Sequence, residues 1–398
     1  MMGTSLNYNK NDTTKLLVSL ATFFYICGLP AFWDTHVALS KRFIKIYDKF
    51  VIFMNIYLVF FSCSAVASMF TQSNLTERQE YDRGFLAYVA PFLFMFYIPL
   101  LYYKAEVRDI LYHLAAVLRE PYNNRELEAE MTRKIRVFSA IFFFLSLSVV
   151  AAGGMIAVHK VVTAGEIFCP VIPAWPQLTD TSALSLLIRV ILYFGWWIYD
   201  IRVMAMFTLV LTMMVAIFYQ FKNLQKYFYC LEDIFRDESL SQTEKERKYE
   251  EAFKLGIYMH AVTLWRKNQD VCQWIFASEV VMCIVGLMVQ LITVMVHDVS
   301  TLSTTFSMAL STLICLAFFM WNGGDITIEA SKVSEAMYFS GWENCSGQSS
   351  ARVRKLVACA IRQAQEPVVY KTLGVVEFSY DAYVKISKLP YTVVSMFY

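Results

Sequence analysis

The sequence is short of charge. Only 17% of its 398 residues are Asp, Glu, Lys or Arg, whereas 57% are hydrophobic and the mean hydropathy is +0.45. A soluble domain carries about 25% charged residues, so this chain cannot cover a water-facing surface and reads as one polytopic membrane domain. A basic excess is lacking too: a net charge of +2 argues against a nucleic-acid partner, which requires a concentrated basic face. The nine cysteines include no C-x-x-C pair and the five histidines never fall in H-E-x-x-H, so no metal site and no other cofactor is expected. Internal repeats of the transporter kind are missing. The one adjacent His-Asp pair, His297-Asp298, fits an outer interface better than an intramembrane catalytic cluster, so no enzyme activity is expected.

What is present is a series of apolar runs. A bilayer-crossing helix needs about 20 mostly apolar residues, because the hydrocarbon core is about 30 Å thick and a helix rises about 1.5 Å per residue. Residues 51–70 meet this without a charge, and 85–103 are interrupted only by Pro91 and Pro99, which neighbouring helices accommodate in a membrane. In 137–158 the pair Gly153-Gly154 invites close helix contact or a ligand. Residues 184–220 are too long for a simple crossing, so they are expected to tilt or to project into water. The run 274–296 bears Glu279, and 306–321 form a short sixth span. Arg189, Asp200, Arg202 and Glu279 suggest a structural ion-pair network, with a proton relay as the alternative.

Residues 373–398 are the ambiguous seventh span. Glu377, Asp381, Lys385 and Lys388 would each cost about 2.5 to 3.5 kcal/mol at the centre of a lipid-facing helix. Read as one helix, their spacing puts them on one face, continued by Thr392 and Ser395, all six within about 80°. The stripe is roughly 27 Å long, almost the thickness of the bilayer core. It suits a water-filled path; an interfacial helix or internal pairing of Asp381 with Lys385 are the alternatives. Pro390 is expected to kink this helix near Ser387. An earlier run, 16–29, follows Lys10 and Lys15 as in a signal peptide but lacks a small-residue cleavage site, and a re-entrant or interfacial segment is the competing reading.

Charge distribution sets an expected orientation. The segments before span one, after span two, between spans four and five and before span seven hold six, seven, nine and six Lys and Arg, 28 altogether. The three alternate loops hold only Arg78, Arg83 and Lys160. By the positive-inside rule the amino terminus is cytoplasmic and, with seven crossings, the carboxyl terminus is extracellular. The expected fold is therefore an all-α seven-transmembrane helical protein of orientation opposite to G-protein-coupled receptors. Of the sequons, Asn74-Leu75-Thr76 falls outside.

This inverted seven-helix pattern, with Ser331-Lys332-Val333-Ser334-Glu335-Ala336-Met337-Tyr338 and Trp342 after the sixth span, resembles the insect odorant receptors. Arg362-Gln363-Ala364-Gln365-Glu366-Pro367 is similar to the family's R-A-Q-x-P signature with Gln363 inserted, and Gly374, Phe378, Tyr383 and Tyr391 follow at about the family's spacing. The end, Pro390 to Tyr398, departs from the gustatory-receptor ending, and the connection between the fourth and fifth spans lacks the long insertion of the shared co-receptor subunit.

The resemblance implies a ligand-tuning subunit of an odorant-gated, non-selective cation channel in the plasma membrane of a sensory neuron dendrite. Its partners would be a volatile odorant or pheromone, membrane lipid, and co-receptor subunits in a heterotetramer. Residues 1–398 would form one domain, with 331–371 as a cytoplasmic anchor helix region and 373–398 as the pore-lining helix. The implied gate positions are Thr392, Val393, Ser395 and Met396, with Lys388 the next polar group inward. The implied pocket in the outer half takes Phe85, Tyr88, Phe92, Ser148, Ala152, Met155, Tyr193, Trp196, Trp197, Phe306 and Leu310. A gustatory-type channel, a G-protein-coupled receptor and a transporter remain the alternative readings.

Overall fold

The computed structural model describes residues 10–33, 39–264, 273, 277, 280–292, 299–347, 350–372 and 374–396. In chain order these form α1 (Asp12–Ile26), α2 (Lys41–Thr71), α3 (Glu77–Val89), α4 (Phe92–Tyr102), α5 (Lys104–Tyr112), α6 (Arg125–Ala164), α7 (Ala183–Cys230), α8 (Asp233–Arg236), α9 (Gln242–Thr263), α10 (Val280–Ile292), α11 (Val299–Tyr338), α12 (Ser350–Ala364) and α13 (Tyr380–Val394). Polar side chains set many of the starts: Ser40, Asn124, Ser182, Ser241 and Ser379 each accept a backbone N–H of the first turn of the helix that follows. Among the described residues five helical segments are long and apolar enough to cross a bilayer: Lys41–Thr71, Gln79–Tyr102, Arg125–Ala164, Ala183–Arg236 and Met308–Asn344. Of the fifth run read from sequence, 280–292 are helical; Trp274, Glu279, His297 and Asp298 lie outside the described residues.

At the centre stands α7, 48 residues and therefore roughly 72 Å long. Its most apolar stretch is 94% buried, against 22% for that of α6, so the other helices are wrapped around it. From Arg202 to Phe221 every residue is buried. Phe207 there meets Phe96 of α4 edge-on at 4.8 Å and Phe319 of α11 at 5.7 Å between ring centroids. The expected excess length is explained by this role: α7 is the shared core of both the bilayer-length bundle and the helices beyond it.

Pro91 divides the second apolar run into α3 and α4, while Pro99 is carried inside α4. The carbonyls at the break are not left bare. Tyr199 Oη donates to the Val89 carbonyl at 2.7 Å and Ser62 Oγ to that of Ala90 at 3.2 Å.

Arg189, Asp200 and Arg202 do not pair with one another, and Glu279, the fourth member of the expected network, lies outside the described residues. Arg189 donates to the Gln177 and Asp180 carbonyls, both at 2.8 Å. Asp200 accepts from Ser146 Oγ at 2.6 Å. Arg202 is held by Asn55 Oδ1 and by the Cys27 carbonyl at 3.4 Å, with the Tyr97 ring 5.4 Å from its guanidinium. Each sits on a different turn with its own neutral partners, and for Arg202 the carboxyl end of α1 supplies the opposing partial charge.

Beyond Phe221, α7 is flanked by α9 and α11, and α12 packs on those two. Glu250 of α9 pairs with Arg352 of α12 at 2.5 Å and with Lys254 at 2.7 Å, and Glu246 accepts the Gly347 N–H at 2.6 Å. The segment from Ser331 to Tyr338, read from sequence as following the sixth span, is the uninterrupted continuation of α11.

The last helix also begins later than the polar spacing suggested. Lys371–Thr372 and Val376–Glu377 form a two-stranded antiparallel hairpin, turned at Gly374 with φ +73°, and the helix starts only at Tyr380. Glu377 therefore pairs across the hairpin with Lys371 at 2.8 Å instead of continuing the helical stripe. α13 is docked on α11 at a pair of glycines. A Cβ on Gly323 would stand 2.4 Å from Phe378 Cβ, one on Gly324 would stand 3.3 Å from the Tyr380 ring, and Tyr380 Oη bonds Asp325.

Candidate functional site

A cavity of about 180 Å³ lies at the Ala183 end of α7, between α3, α6, α7 and α11. Phe85 and Leu86 line it from α3, Val149, Ala152, Gly153 and Ile156 from α6, Trp196 from α7, and Thr305 and Met308 from α11. The remaining wall is the loop before α7, which contributes Glu166, Ile167, Cys169, Pro170, Val171 and Ile172.

That loop is fixed by hydrogen bonds to its surroundings. Gln72 at the end of α2 donates through Nε2 to the Pro173 and Pro176 carbonyls, both at 2.9 Å, and Thr71 Oγ1 donates to Ala174 at 2.8 Å. Arg189 grips the loop's far end through Gln177 and Asp180. Gly165, at φ +65°, ends α6 and turns the chain so that Glu166 comes back to Lys160 at 3.5 Å. Burial pushes the Cys169 thiol up to about 12, so it is neutral, and it donates to the Val171 carbonyl at 3.2 Å. The mouth is thus polar, with Gln79, Asp82, Lys160 and Glu166, while the interior is apolar and aromatic. An interior of this kind binds a small apolar molecule by burial, at about 25 cal/mol per Å² of apolar surface removed from water.

The terminal helix is the second candidate. Asp381, Lys385, Lys388, Thr392 and Ser395 are all exposed along one side of α13, whereas Ile386, Pro390 and Val394 are its buried face. Asp381 and Lys385 pair at 2.6 Å in the open. Pro390 sits inside the helix, which continues to Val394.

No family model matches the chain, and no curated protein does. Among solved structures it is similar to the insect olfactory receptor OR5 from Machilis hrabei, with a TM-score of 0.73 at 11% identity over 97% of this chain and 99% of that one. The same receptor in complex with eugenol gives a TM-score of 0.71 at 12% identity over 96% of this chain and 98% of that one. This chain has the fold of an insect olfactory receptor.

Within this olfactory-receptor fold, three residues singled out from sequence, Phe85, Ala152 and Trp196, come together on the cavity wall. Tyr88 and Phe92 pack on each other beside it, with ring centroids 5.0 Å apart. Tyr193 fills the notch at Gly154 and donates to the Val150 carbonyl at 3.1 Å, with Trp197 against it at 6.3 Å. The glycine pair thus serves helix contact: Trp196 lies over Gly153 as Tyr193 lies over Gly154. Ser148, Met155, Phe306 and Leu310 are exposed on the outside of the molecule, Met155 by 65% and Phe306 by 66%. Of the positions expected at the gate from the resemblance, Lys388, Thr392, Ser395 and Met396 are exposed and Val393 is half-buried.

Sequence reasoning missed the loop wall and the α11 positions Thr305 and Met308. A signal existed for the loop: Ile167, Phe168, Cys169, Val171 and Ile172 are too few to span a membrane yet too apolar for a free aqueous loop. On α11, Thr305 and Met308 line the cavity while Phe306 and Leu310 share the outward side.

Proposed function

We propose that the chain is a ligand-tuning subunit of an odorant-gated, non-selective cation channel, a receptor and not an enzyme. A volatile, largely apolar ligand occupies the cavity at the Ala183 end of α7. The chain crosses the plasma membrane seven times, α10 and α13 completing the five longer spans, with its amino terminus in the cytoplasm and its carboxyl terminus outside. The cavity then lies in the outer half, and α9, α12 and the last turns of α11 form the cytoplasmic anchor. In a tetramer with co-receptor subunits the exposed side of α13 faces the central path, with the gate around Thr392, Val393, Ser395 and Met396 and with Lys388 inward of it.

The fold similarity along 97% of the chain carries this reading. A neighbour solved with eugenol supports a small aromatic or aliphatic ligand, and the open polar side of α13 supports a water-lined path. Opening follows if the ligand binds the open arrangement more tightly than the closed one.

The test is co-expression with a co-receptor subunit in a voltage-clamped cell and a broad odorant panel. Ligand-evoked cation currents are expected. Ala152→Leu narrows the cavity and is expected to change the rank order of odorants while leaving ion selectivity unaltered. Currents whose selectivity changes while the rank order stays fixed would remove the pocket assignment.

A further inference from the structure

Asp200 is a carboxylate placed in the apolar part of α7 with half of its hydrogen-bonding capacity unused. Oδ1 accepts from Ser146 Oγ at 2.6 Å, while Oδ2 is buried and has no hydrogen-bond partner among the described residues. A buried acceptor left in this state costs about 1 to 3 kcal/mol, and more when charged, and an ionisable group at membrane depth calls for a function.

Its position relative to the cavity supplies one. Trp196, on the cavity floor, precedes Asp200 by one helical turn on the same face of α7, a rise of about 6 Å. On α6 the cavity residues Val149 and Gly153 stand three and seven residues from Ser146, again on one face. Tyr193 against Val150 and Gly154, Trp196 against Gly153 and Asp200 against Ser146 describe one antiparallel register between α6 and α7. The Asp200–Ser146 pair is therefore the next layer inward from the floor. The Trp196 ring separates the two layers and rests on bare Gly153 backbone, 3.2 Å from where a Cβ would stand.

Of the carboxylates at the cavity, Glu166 is paired with the lining ammonium, Lys160, whereas Asp200, below the floor, keeps an oxygen without a hydrogen-bond partner among the described residues. A carboxylic acid would be repelled, and a hydrocarbon would leave Oδ2 unsatisfied. A primary ammonium satisfies Oδ2 with a charge-assisted hydrogen bond, and the Trp196 ring face attracts it on the way in.

We propose that Asp200, oriented by Ser146, is the deep anchor of the cavity for ligands with a primary amine on an apolar body, such as alkylamines and arylalkylamines. The anchor rests on the reading of the cavity as the ligand site, but not on the chain being a channel.

The test uses the full-length protein purified in nanodiscs, titrated with hexylamine, hexan-1-ol, hexanoic acid and hexane while tryptophan fluorescence is followed. Hexylamine is expected to bind at least 10-fold more tightly than hexan-1-ol. Asp200→Asn, which keeps an acceptor for Ser146, is expected to bring the two within about 2-fold of each other without weakening hexan-1-ol by more than about 3-fold. Ser146→Ala, which leaves the carboxylate in place but frees its orientation, should reduce the preference without abolishing it. Equal affinity for amine and alcohol in the unaltered protein overturns the proposal, as does a ratio unchanged by Asp200→Asn in a variant whose thermal melt matches the parent. If no ligand evokes current in co-receptor cells while the Asp200-dependent preference persists in nanodiscs, the anchor stands and the channel reading falls. Currents evoked by alcohols alone, with amines inert at the same concentrations, overturn the anchor and leave the channel reading intact.

Discussion

The two halves of α7 are built on opposite plans. Between Arg202 and Phe221 the helix is buried on every side. Between Ala183 and Ile201 it exposes a face, with Leu184, Leu187 and Phe194 between 55% and 60% accessible, and it borders the cavity through Trp196. Both halves are equally apolar, so composition does not separate them. What separates them is what surrounds them: α4, α6, α9 and α11 close around the second half, whereas the first half has a hydrogen-bonded loop and a cavity. A continuous apolar helix can thus carry a rigid core at one end and an adaptable site at the other.

Breaking the packed half should have the largest effect. Phe207→Ala removes a ring wedged between Phe96 and Phe319 at 1% exposure, and is expected to cost about 3 to 5 kcal/mol. Phe194→Ala on the open half, at 60% exposure, should cost under about 0.5 kcal/mol. Thermal unfolding in detergent measures both, and equal losses would erase the contrast.

A smaller effect should come from protons at the packed end. His260 of α9 is buried against Phe221, and burial lowers its imidazole to about 4. The unfolded chain takes up that proton near pH 6.5 and the folded one only near 4, so stability present above 6.5 is lost as pH falls between these values. The full loss is about 3 kcal/mol. Melting curves at pH 7.5 and 5 should separate by several degrees, and His260→Phe should narrow the gap; a gap that His260→Phe leaves unaltered refutes this origin. Smaller again is Glu250→Gln. It keeps the hydrogen-bonding shape but removes the charge shared by Lys254 and Arg352, both well exposed, and should cost about 1 kcal/mol in the same assay. A loss as large as that of Phe207→Ala would mean that ion pairs, not packing, hold this end.

The same contrast explains what could be read from the sequence. The long apolar helices were legible, because runs of 20 apolar residues have few other uses, and the excess length of α7 was visible; the polar helix α9 left no such signal. Facing was not legible. In a membrane the outside of a helix is as apolar as its inside, so Phe306 and Leu310 looked as suitable for a pocket as Thr305 and Met308 do in the structure. Ala152 and Trp196 came from the family resemblance, and their place on the cavity wall depends on how α6 and α7 meet at Gly153, which no local pattern records. Glu377 was placed on a helical stripe by spacing alone, and spacing cannot report that Gly374 turns the chain into a hairpin first. The separate partners of Arg189, Asp200 and Arg202 depend on contacts with residues at least nine positions away, which no local pattern records.

The unbroken length of α7 also has a mechanical meaning. Over roughly 72 Å a tilt of only one degree about one end displaces the other by about 1.3 Å. Because the stretch from Arg202 to Phe221 is gripped on all sides, it cannot follow such a tilt alone and must carry its neighbours with it. A push on Trp196 therefore works on a long lever whose load is the whole packed end of the molecule.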